Sequence, residues 1–369
     1  LLYSDVDVDV KNAAQLLDRL LKEIVTESDH FAIDEFIPLL ESKLEITNPY
    51  IRQLLVGWIT ILDSVPFINM LDYLPNFLKG LFTMLSDVIK EIRQQADQAL
   101  CEFLEEIKTC NVETLQLAPI IKILVQQCAP RQLRFNKLTA ITWLQEIIRL
   151  GQERLQDLYG LLLNAVLQLV ADSEPEIRDY ATETNEDLLK LVRKTPEPLD
   201  FSVLLHKLRK ELQSKDPIVR QQSLSWVSML LEKNEGQVLS VLEDFWPVLM
   251  NLLCDEYDTI AMSTLQVLAG IASNDAHFGD VLRRILLLFE RQPELLEDRG
   301  SFIIRTMCAE SSGLDSKTIY ITMAKQLLAH NDVEFAKIMV QTFNLILLTA
   351  VELRGLRTLL ERCFNHPGE

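Results

Sequence analysis

Apolar side chains recur at three- and four-residue steps along most of this chain. The segment 86–107 is typical, with apolar side chains at Ile92, Ala96, Ala99, Leu100, Phe103, Leu104 and Ile107. Because residues at these steps share one face of a helix, the segment predicts an amphipathic helix. Runs with the same period span 31–46, 71–87, 115–128, 158–172, 200–213 and 238–254. The pattern predicts an all-α fold.

A short motif, a β-branched residue followed by a basic one, recurs at a nearly constant interval. It stands at Val10-Lys11, Ile51-Arg52, Ile92-Arg93, Ile177-Arg178 and Val219-Arg220, and imperfectly at Phe135-Asn136 and Ile260-Ala261. We call the first residue of each motif its anchor. Successive anchors lie 41, 41, 43, 42, 42 and 41 residues apart. Two helices in such a period resemble the HEAT repeat. One pair cannot bury both its apolar faces alone, so the sequence predicts an α-solenoid of HEAT repeats (an armadillo-like superhelix) with about eight to nine helix pairs.

Several residue types keep fixed places in this repeat. Pro49, Pro175 and Pro217 lie two residues before their anchors, where a first-turn proline costs no hydrogen bond. Prolines near the middle of the other runs predict bent helices: Pro38, Pro75, Pro119 and Pro247. An acid precedes a base by six residues in Asp5/Lys11, Asp87/Arg93 and Asp172/Arg178. HEAT proteins use these positions as an inter-repeat ladder, and an exposed rung would contribute only ~0–1 kcal/mol.

The repeat divides the chain. We predict HEAT repeats over 1–193, a short linker at 194–200 (KTPEPLD), and further repeats over 201–369. Beyond about residue 273 the motif is lost, although helical runs continue, and we predict two degenerate pairs there. The chain begins with Leu1, without the layout of a signal peptide, and has the character of a segment of a longer protein.

Charge and composition narrow the function. The formal net charge is −18, so nucleic acid and anionic lipid are poor primary ligands, and membrane contact is expected to be indirect. The basic cluster His206–Lys210 is best explained as a solvated helix face. Six cysteines without a CxxC pair indicate reduced thiols and a cytoplasmic location. No apolar run approaches the roughly 18 residues of a membrane span.

Candidate chemistry is sparse. There is no phosphate-binding glycine loop, no HExxH and no GxSxG, so we predict no enzyme, no cofactor and no catalytic, cofactor-binding or metal residues. Four groups of residues could in principle form a metal, catalytic or binding site: Cys363/His366, Glu105-Glu106, Asp255-Glu256 and Phe245-Trp246-Pro247. The first is best explained by chance near the chain end, the acidic pairs as charged faces, and the aromatic group as core packing. Partner-binding residues stay unknown.

Particular segments go beyond a generic HEAT array. They are LLDRLLKEIVTES (16–28), FIPLLESKL (36–44), SVPFINMLDYLPNFLKGLF (64–82), KEIRQQADQALCEFLEEIK (90–108), LLEDRGSFIIR (295–305) and TFNLILLTAVEL (342–353). Together they resemble the HEAT-repeat scaffold of the PIKfyve lipid-kinase complex, the ArPIKfyve family of animals with its vacuolar counterpart in fungi. The resemblance spans nearly the whole chain.

This resemblance implies a non-catalytic scaffold that joins a PIKfyve-type lipid kinase to a Sac-domain phosphatase. The kinase makes phosphatidylinositol 3,5-bisphosphate and the phosphatase removes it, on the cytosolic face of endosomes, lysosomes or the fungal vacuole. The family also self-associates. The chain is expected to stop before the family's C-terminal region, so phosphatase binding and self-association are expected to need regions outside it. A generic HEAT adaptor, such as a transport receptor or a protein-phosphatase scaffold subunit, stays the alternative.

Overall fold

The computed structural model describes residues 5–28, 31–110, 115–196 and 199–365. Within these ranges the backbone forms helices and connecting turns, and no strand occurs. The helices gather in two compact units, residues 1–199 and 200–369. Each unit is a stack of helix pairs, so the predicted all-α solenoid architecture is confirmed.

The first unit contains four stacked pairs preceded by one helix. Its helices are α1 (Val8–Glu27), α2 (Ile33–Lys43), α3 (Pro49–Asp63), α4 (Leu74–Leu85), α5 (Lys90–Thr109), α6 (Leu117–Gln127), α7 (Arg134–Gly151), α8 (Tyr159–Val170) and α9 (Pro175–Lys194). First helices pack on first helices (α2, α4, α6, α8), and second helices on second helices (α3, α5, α7, α9). The core therefore runs along the stack.

The second unit repeats this arrangement. Its helices are α10 (Ser202–Glu211), α11 (Pro217–Lys233), α12 (Glu235–Ser240), α13 (Leu242–Leu252), α14 (Asp258–Ala272), α15 (Asp275–Arg291), α16 (Pro293–Cys308), α17 (Ser316–Leu328), α18 (Val333–Thr349) and α19 (Arg354–Asn365). The second helices α11, α14, α16 and α18 stack in order, and the first helices α13, α15 and α17 stack beside them. With the first unit, the described residues form eight pairs.

The prolines act at helix starts more than at bends. Pro49, Pro175 and Pro217 begin α3, α9 and α11 as expected, behind caps such as the Asn48 side chain, which accepts from the N–H of Tyr50 at 3.0 Å. Pro38 lies inside α2 and Pro247 inside α13.

The expectation of a mid-helix proline is wrong at two places. Pro75 is the second residue of α4 and Pro119 the third residue of α6. Both helices start later than the apolar period suggested, since a first-turn proline sacrifices no hydrogen bond. The run 238–254 is likewise divided, because α12 ends at Ser240 and α13 begins at Leu242.

One anchor was assigned one residue out of register. Ile92, Ile177, Val219 and Ile260 are buried as predicted, whereas Val10 and Ile51 are only half-buried. Phe135 is 55% exposed and its neighbour Asn136 is 4% exposed. The Asn136 amide donates to the carbonyl of Phe82 at 3.1 Å and to Gln127 Oε1 at 3.0 Å. Because its hydrogen bonds are satisfied, a polar residue occupies an apolar anchor position here.

The charged ladder joins neighbouring pairs. Arg52 bonds Asp87, Lys137 bonds Asp172 at 2.7 Å, and Arg220 Nη2 bonds Asp255 at 3.1 Å, each across 35 residues. The side chains are at most 15% exposed, so these rungs are more buried than the surface rungs that the sequence suggested. Removing one partner would leave a nearly buried charge, which costs more than an exposed rung contributes.

The basic residue of the motif also closes the turn before its helix. Arg93 Nη1 donates to the carbonyls of Asp87 and Val88, at 2.7 and 2.9 Å. Arg178 and Arg220 make the same pair of bonds to the carbonyls five and six residues before them. The motif is therefore a turn-closing device as well as an anchor.

Where the motif lacks its base, another helix supplies it. The methyl side chain of Ala261 cannot donate a hydrogen bond to the carbonyls of Asp255 and Glu256. Arg299, from α16, donates to both carbonyls and pairs with Asp258 at 2.9 Å. This residue lies in the distinctive LLEDRGSFIIR segment, so the base that is missing at position 261 is supplied by the next pair.

Candidate partner-binding surface

The last helix pair of the second unit is covered on one side. Its second helix α18 turns Phe335, Met339, Phe343 and Ile346 inward, where they are at most 8% exposed. Those residues recur at three- and four-residue steps and pack towards α16 and α17. The ring of Phe343 lies 5.4 Å from that of Tyr320 on α17. This inner face explains why α18 docks on the stack.

The other side of α18 is also apolar. Leu345 is 64% exposed, Leu348 is 71% exposed, and Ile338 is 49% exposed. Residues 338, 345 and 348 are seven and three positions apart, so they form one stripe along the helix. A helix that is apolar on both sides is normally packed on both sides. Within the described residues, α16, α17 and α19 are the helices that contact α18 substantially.

Helix α19 follows α18 after a sharp bend of 84°. The bend is held by Arg357, whose Nη1 donates to the carbonyls of Leu347 and Ala350 at 2.7 and 2.6 Å. Ala350 and Leu353 are fully buried under it. The orientation of α19 is therefore determined by packing and hydrogen bonds.

Helix α19 carries a second exposed apolar stripe. Leu356 is buried, while Leu359, Leu360 and Phe364 are 39%, 43% and 92% exposed. The helix has three arginines and one glutamate, in a chain of net charge −18. We call the exposed apolar residues of both helices the terminal surface; they are Ile338, Leu345, Leu348, Leu359, Leu360 and Phe364. Exposed apolar residues that recur along one face of a helix are typical of interaction sites.

A third exposed apolar stripe lies in the first unit. On α1, Leu16, Leu17, Leu20, Leu21 and Ile24 are each 43–62% exposed. A groove beside it is lined by Leu17, Phe36, Leu39 and Trp58, and the Trp58 indole donates to Asp18 at 2.9 Å. This face is a further place where a partner helix could pack.

The two acidic pairs that the sequence offered as candidate dyads make contacts within the helix stack. Glu105 pairs with Lys108 at 2.8 Å. Glu106 instead lies beside Asp63 at the end of α3, where burial raises the pKa of Asp63 to about 7, with Glu106 and Glu102 adding to the shift. Burial also raises the pKa of Glu106. Asp255 is a ladder residue, and its neighbour Glu256 accepts from Arg299 through its carbonyl.

The aromatic and basic candidates are also explained. Phe245 and Trp246 are buried, and the Arg284 guanidinium lies 4.5 Å from the centre of the Trp246 ring, so these two aromatic residues pack in the core while Pro247 is exposed. In the basic cluster, His206 is exposed and Arg209 pairs with Asp244 at 3.1 Å.

Thiol and metal candidates give no site within the described ranges. Cys363 is exposed on α19, and its proposed partner His366 lies outside the described residues, as does His30. Burial raises the pKa of Cys128 and of Cys308 to about 12, so both thiols are protonated at neutral pH. Among the residues described, no group of three or more His, Cys, Asp or Glu side chains could hold a metal ion.

No individual helix in the described ranges has both the length and the apolar character needed to cross a membrane. Helices α18 and α19 meet those criteria together, but the bend between them separates their axes.

The terminal surface was missed by reasoning from sequence. Its signal was present in VEFAKIMVQTFNLILLT, which is apolar nearly all round rather than on one face. Which of those residues are covered depends on the neighbouring helices, and the sequence pattern does not specify them.

Comparison with known proteins places these observations in a family. A family model described as "Vacuolar protein 14 C-terminal Fig4p binding" matches residues 293–367, which include α16 to α19. The "Protein VAC14 homolog" of Arabidopsis thaliana is 44% identical over 98% of this chain and 48% of the relative. Over nearly its whole length the chain is similar to the VAC14 family.

A more distant relative, the "Protein VAC14 homolog" of Schizosaccharomyces pombe, is 26% identical over 98% of this chain and 57% of its own length. The chain thus spans about half the length of the curated relatives it matches. Among solved structures, a TOG domain array from crescerin is 16% identical, with a TM-score of 0.40 over 66% of this chain and 88% of that chain. A likeness at that level adds nothing to the fold seen directly in the helices.

The family match corrects one expectation. The sequence was interpreted as stopping before the family's C-terminal region, with phosphatase binding left to regions outside the chain. Residues 293–367 match the region described as Fig4p binding, so at least that part lies within this chain. The error arose because the repeat motif fades after residue 273, although the helices themselves continue to α19.

Proposed function

We propose that this chain is a non-catalytic scaffold that assembles a PIKfyve-type lipid kinase with a Fig4-type Sac-domain phosphatase. By holding the two opposing activities together it would regulate phosphatidylinositol 3,5-bisphosphate on endosomal, lysosomal or vacuolar membranes. The protein would reach those membranes as a peripheral component, through its partners.

One observation carries this proposal. The segment matched by the Fig4p-binding family model, residues 293–367, includes the helix pair and the final helix that bear the terminal surface. A binding function and an uncovered apolar surface therefore fall on the same short stretch of chain. A stack of helix pairs offers long faces rather than an enclosed pocket, which suits protein partners better than a small substrate.

The kinase would bind elsewhere along the repeats. The exposed stripe on α1 and its groove in the first unit are available for a second partner. Self-association, expected from the family, would add copies of the scaffold to the assembly. The family relationship supports this function over a generic HEAT adaptor.

Reconstitution tests the proposal. The purified chain, the organism's own Sac-domain phosphatase and its PIKfyve-type kinase would be mixed pairwise and together, then separated by size-exclusion chromatography with light scattering. We expect the chain to co-elute with the phosphatase and to retain the kinase in the same peak. A chain that binds neither enzyme, while a transport cargo or GTPase is captured with matching stoichiometry, would favour the adaptor.

A further inference from the structure

Two neighbouring turns of the first unit expose apolar side chains. Val88 and Ile89, in the turn before α5, are 94% and 36% exposed. Leu133 and Phe135, at the start of α7, are 60% and 55% exposed. We call these four residues the turn patch. Single exposed apolar residues are common in proteins, whereas several that lie together are typical of a binding surface.

Hydrogen bonds between the two helix pairs hold these turns side by side. The Ser86 hydroxyl donates to the Asn136 side chain, and the Asn136 amide donates to the carbonyl of Phe82 at 3.1 Å. Ser86 lies two residues before Val88, and Asn136 directly follows Phe135, so the apolar side chains of the two turns are neighbours. Helix pairs stack on both sides of these two pairs, so the exposure belongs to the edge of the stack and not to its end.

Ile89 and Leu133 depart from a local rule of helix formation. Each is the N-cap residue of its helix, and neither makes a side-chain capping bond. At the same position Asn48 caps α3 and Asp216 caps α11 through a side-chain oxygen. Apolar residues are among the least favoured N-caps, so α5 and α7 begin less stably than a capping residue would allow. Departures of this kind are expected where a residue serves binding.

The backbone of both turns is fixed although the side chains are exposed. The Ile89 N–H donates to the Asp87 carboxylate at 2.9 Å, and Arg93 donates to the carbonyl of Val88 at 2.9 Å. In the other turn, the Gln132 N–H donates to the carbonyl of Ala129 at 2.9 Å. A surface with an ordered backbone loses little conformational entropy when a partner binds.

Cations border the turn patch. Lys90 and Arg131 are exposed, and neither forms an ion pair within the described residues. The Arg134 guanidinium lies 5.6 Å from the centre of the Phe135 ring, and its charge is shared with two glutamates at the start of α9. Glu91 is an exposed carboxylate on the first turn of α5. Two unpaired cations therefore stand beside apolar side chains in a chain of net charge −18.

We propose that the turn patch docks an acidic amphipathic segment of a partner protein. The apolar side of that segment covers the four residues of the patch, and its carboxylates meet Lys90 and Arg131. This inference goes beyond the proposed function, because it assigns a site in the first unit and its test requires neither the kinase nor the phosphatase.

Charge selects this occupant over lipid and over a second copy. Lipid-binding surfaces typically collect about four to eight Lys or Arg residues, more than the unpaired cations found here. The net charge of −18 also repels anionic membranes. A second copy packed symmetrically through the patch would bring Lys90 and Arg131 towards their own equivalents.

The second unit offers a natural comparison. Ile218 and Tyr257 lie at the starts of α11 and α14 and are 43% and 44% exposed. Their neighbours in sequence include Asp216, Glu256 and Asp258, so an acidic segment would be repelled there. The turn patch differs from this place by its charge more than by its apolar character.

Peptide selection tests the choice of occupant. A display library of random peptides of about 16 residues, long enough for roughly four helical turns, would be selected on the purified chain. The peptides recovered would be synthesised with a fluorescent label. We expect apolar residues at three- and four-residue steps together with an excess of Asp and Glu. Recovery of no peptide, or of peptides rich in Lys and Arg, would overturn the inference.

Variants of the patch then locate the site. In Val88→Glu/Phe135→Glu, affinity for the synthetic peptide should fall at least about tenfold by fluorescence anisotropy, as expected for central contact residues. Val88→Ser/Phe135→Ser removes apolar area without adding charge and should also weaken binding. Val88→Ile/Phe135→Leu keeps the apolar character and should retain it.

The matched control for these variants is Ile218→Glu/Tyr257→Glu. Those residues hold comparable places in the turns of the second unit, so the change in charge and in exposed apolar area is similar. Its affinity for the peptide should equal that of the unaltered chain. Circular dichroism would show that each variant is folded.

A second pair of variants tests the cations. Lys90→Glu/Arg131→Glu should slow association with the peptide and abolish its decrease with salt, because charges at the rim act mainly on encounter. The control is Lys210→Glu/Lys215→Glu, at two exposed lysines of the second unit. It changes the net charge equally and should leave association nearly unchanged.

The remaining outcomes also decide. If the folded Val88→Glu/Phe135→Glu chain binds the peptide as tightly as the unaltered chain, the turn patch is not the site. If that variant instead loses self-association, or binding to phosphatidylserine vesicles, with peptide affinity unchanged, the patch serves a second copy or lipid and the inference is overturned. None of these measurements involves the two enzymes, so this inference and the proposed function can fail separately.

Discussion

At the scale of single residues, this protein depends on a few polar groups placed where an apolar side chain would be expected. Asn136 fills an anchor position because its amide has two acceptors. Asp87 is tolerated although it is nearly buried. Burial by itself would raise its pKa, but the Ile89 N–H and the Arg52 guanidinium outweigh that effect and hold the pKa below its usual range. Each of these residues is stable only through partners distant in sequence or in the next turn.

Replacing Arg52 by methionine should therefore destabilise the first unit. Asp87 would keep its bond to Ile89 but lose its cation, so we expect the free energy of unfolding to fall by about 2–3 kcal/mol at pH 7. A carboxyl with a lowered folded pKa stabilises above its unfolded pKa, and this contribution is lost as the pH falls through the folded value. The deficit should narrow below about pH 4. Urea unfolding at several pH values measures this loss of unfolding free energy. The control is Arg131→Met, at an exposed residue, which should change the free energy of unfolding by less than about 0.5 kcal/mol. Equal effects from both would contradict a stabilising ladder.

The pKa of Asp63 is shifted in the opposite direction to that of Asp87, so its effect on stability has the opposite dependence on pH. Its folded pKa is raised to about 7 by burial and by the nearby Glu106 and Glu102, so the folded state holds a proton that the unfolded state releases near pH 4. Stability should fall as pH rises through that window. Asp63→Asn removes this dependence and should stabilise the chain at pH 8 by on the order of 1 kcal/mol, a value reduced for partial exposure.

The measurement for Asp63 is unfolding by denaturant at pH 5, 6, 7 and 8. The gain from Asp63→Asn should grow with pH, while Asp157→Asn, at an exposed carboxylate, should give a small, constant change. A gain that is constant with pH would show that Asp63 does not bind a proton in the folded state near neutral pH.

At the scale of helices and turns, arginines donate to two backbone carbonyls in the turns before α5, α9, α11 and α14. Three of these arginines lie in the helix that follows the turn, whereas the turn before α14 is closed by Arg299 from α16. The same chemical need, to satisfy two carbonyls, is met by residues on different helices. This explains why the motif can vanish from the sequence while the stacking of pairs persists.

Arg299→Met should loosen that turn. Two carbonyls would lose their donor and Asp258 its cation, with an expected cost of about 1–3 kcal/mol. Hydrogen exchange should accelerate first in residues 252–258. Adding Ala261→Arg restores the motif's own base and should recover part of the loss. If the second change gives no recovery, donation to these carbonyls is not the role of Arg299.

At the scale of the whole molecule, the features that stand out are the acidic surface and the exposed apolar faces. A net charge of −18 opposes approach to anionic lipid, so recruitment to a membrane is best achieved through a partner. We expect the chain to act by bringing proteins together and to have no catalytic activity of its own.

We therefore expect the isolated chain neither to phosphorylate nor to hydrolyse phosphoinositides, and to bind anionic vesicles weakly. Vesicle sedimentation with phosphatidylinositol 3-phosphate and phosphatidylinositol 3,5-bisphosphate, with lipid products followed by chromatography, measures both. Neutral vesicles of equal size serve as the control. Tight binding specific to the anionic vesicles, or product formed without a partner enzyme, would contradict a scaffold that depends on its partners.

The features that could be predicted from the sequence are those that depend on residues close together in the chain or on a repeated interval. Helix periods, first-turn prolines and the 41–43-residue interval are local or repeated, so the helices, the HEAT-like pairs and the family resemblance could be read from the chain. The burial of Ile92, Ile177, Val219 and Ile260 followed from the same period.

Other features were decided only by tertiary structure. Asn136 replaced Phe135 at the anchor position because partners from α4 and α6 satisfy its amide, and the ladder became a set of nearly buried pairs because adjacent helices cover it. Leu345 and Leu348 look like core residues in sequence, yet they are exposed because no described helix packs on that side of α18. A periodic pattern states which face of a helix is apolar. Whether that face is buried depends on which neighbours reach it, and those neighbours come from residues far along the chain or from another protein.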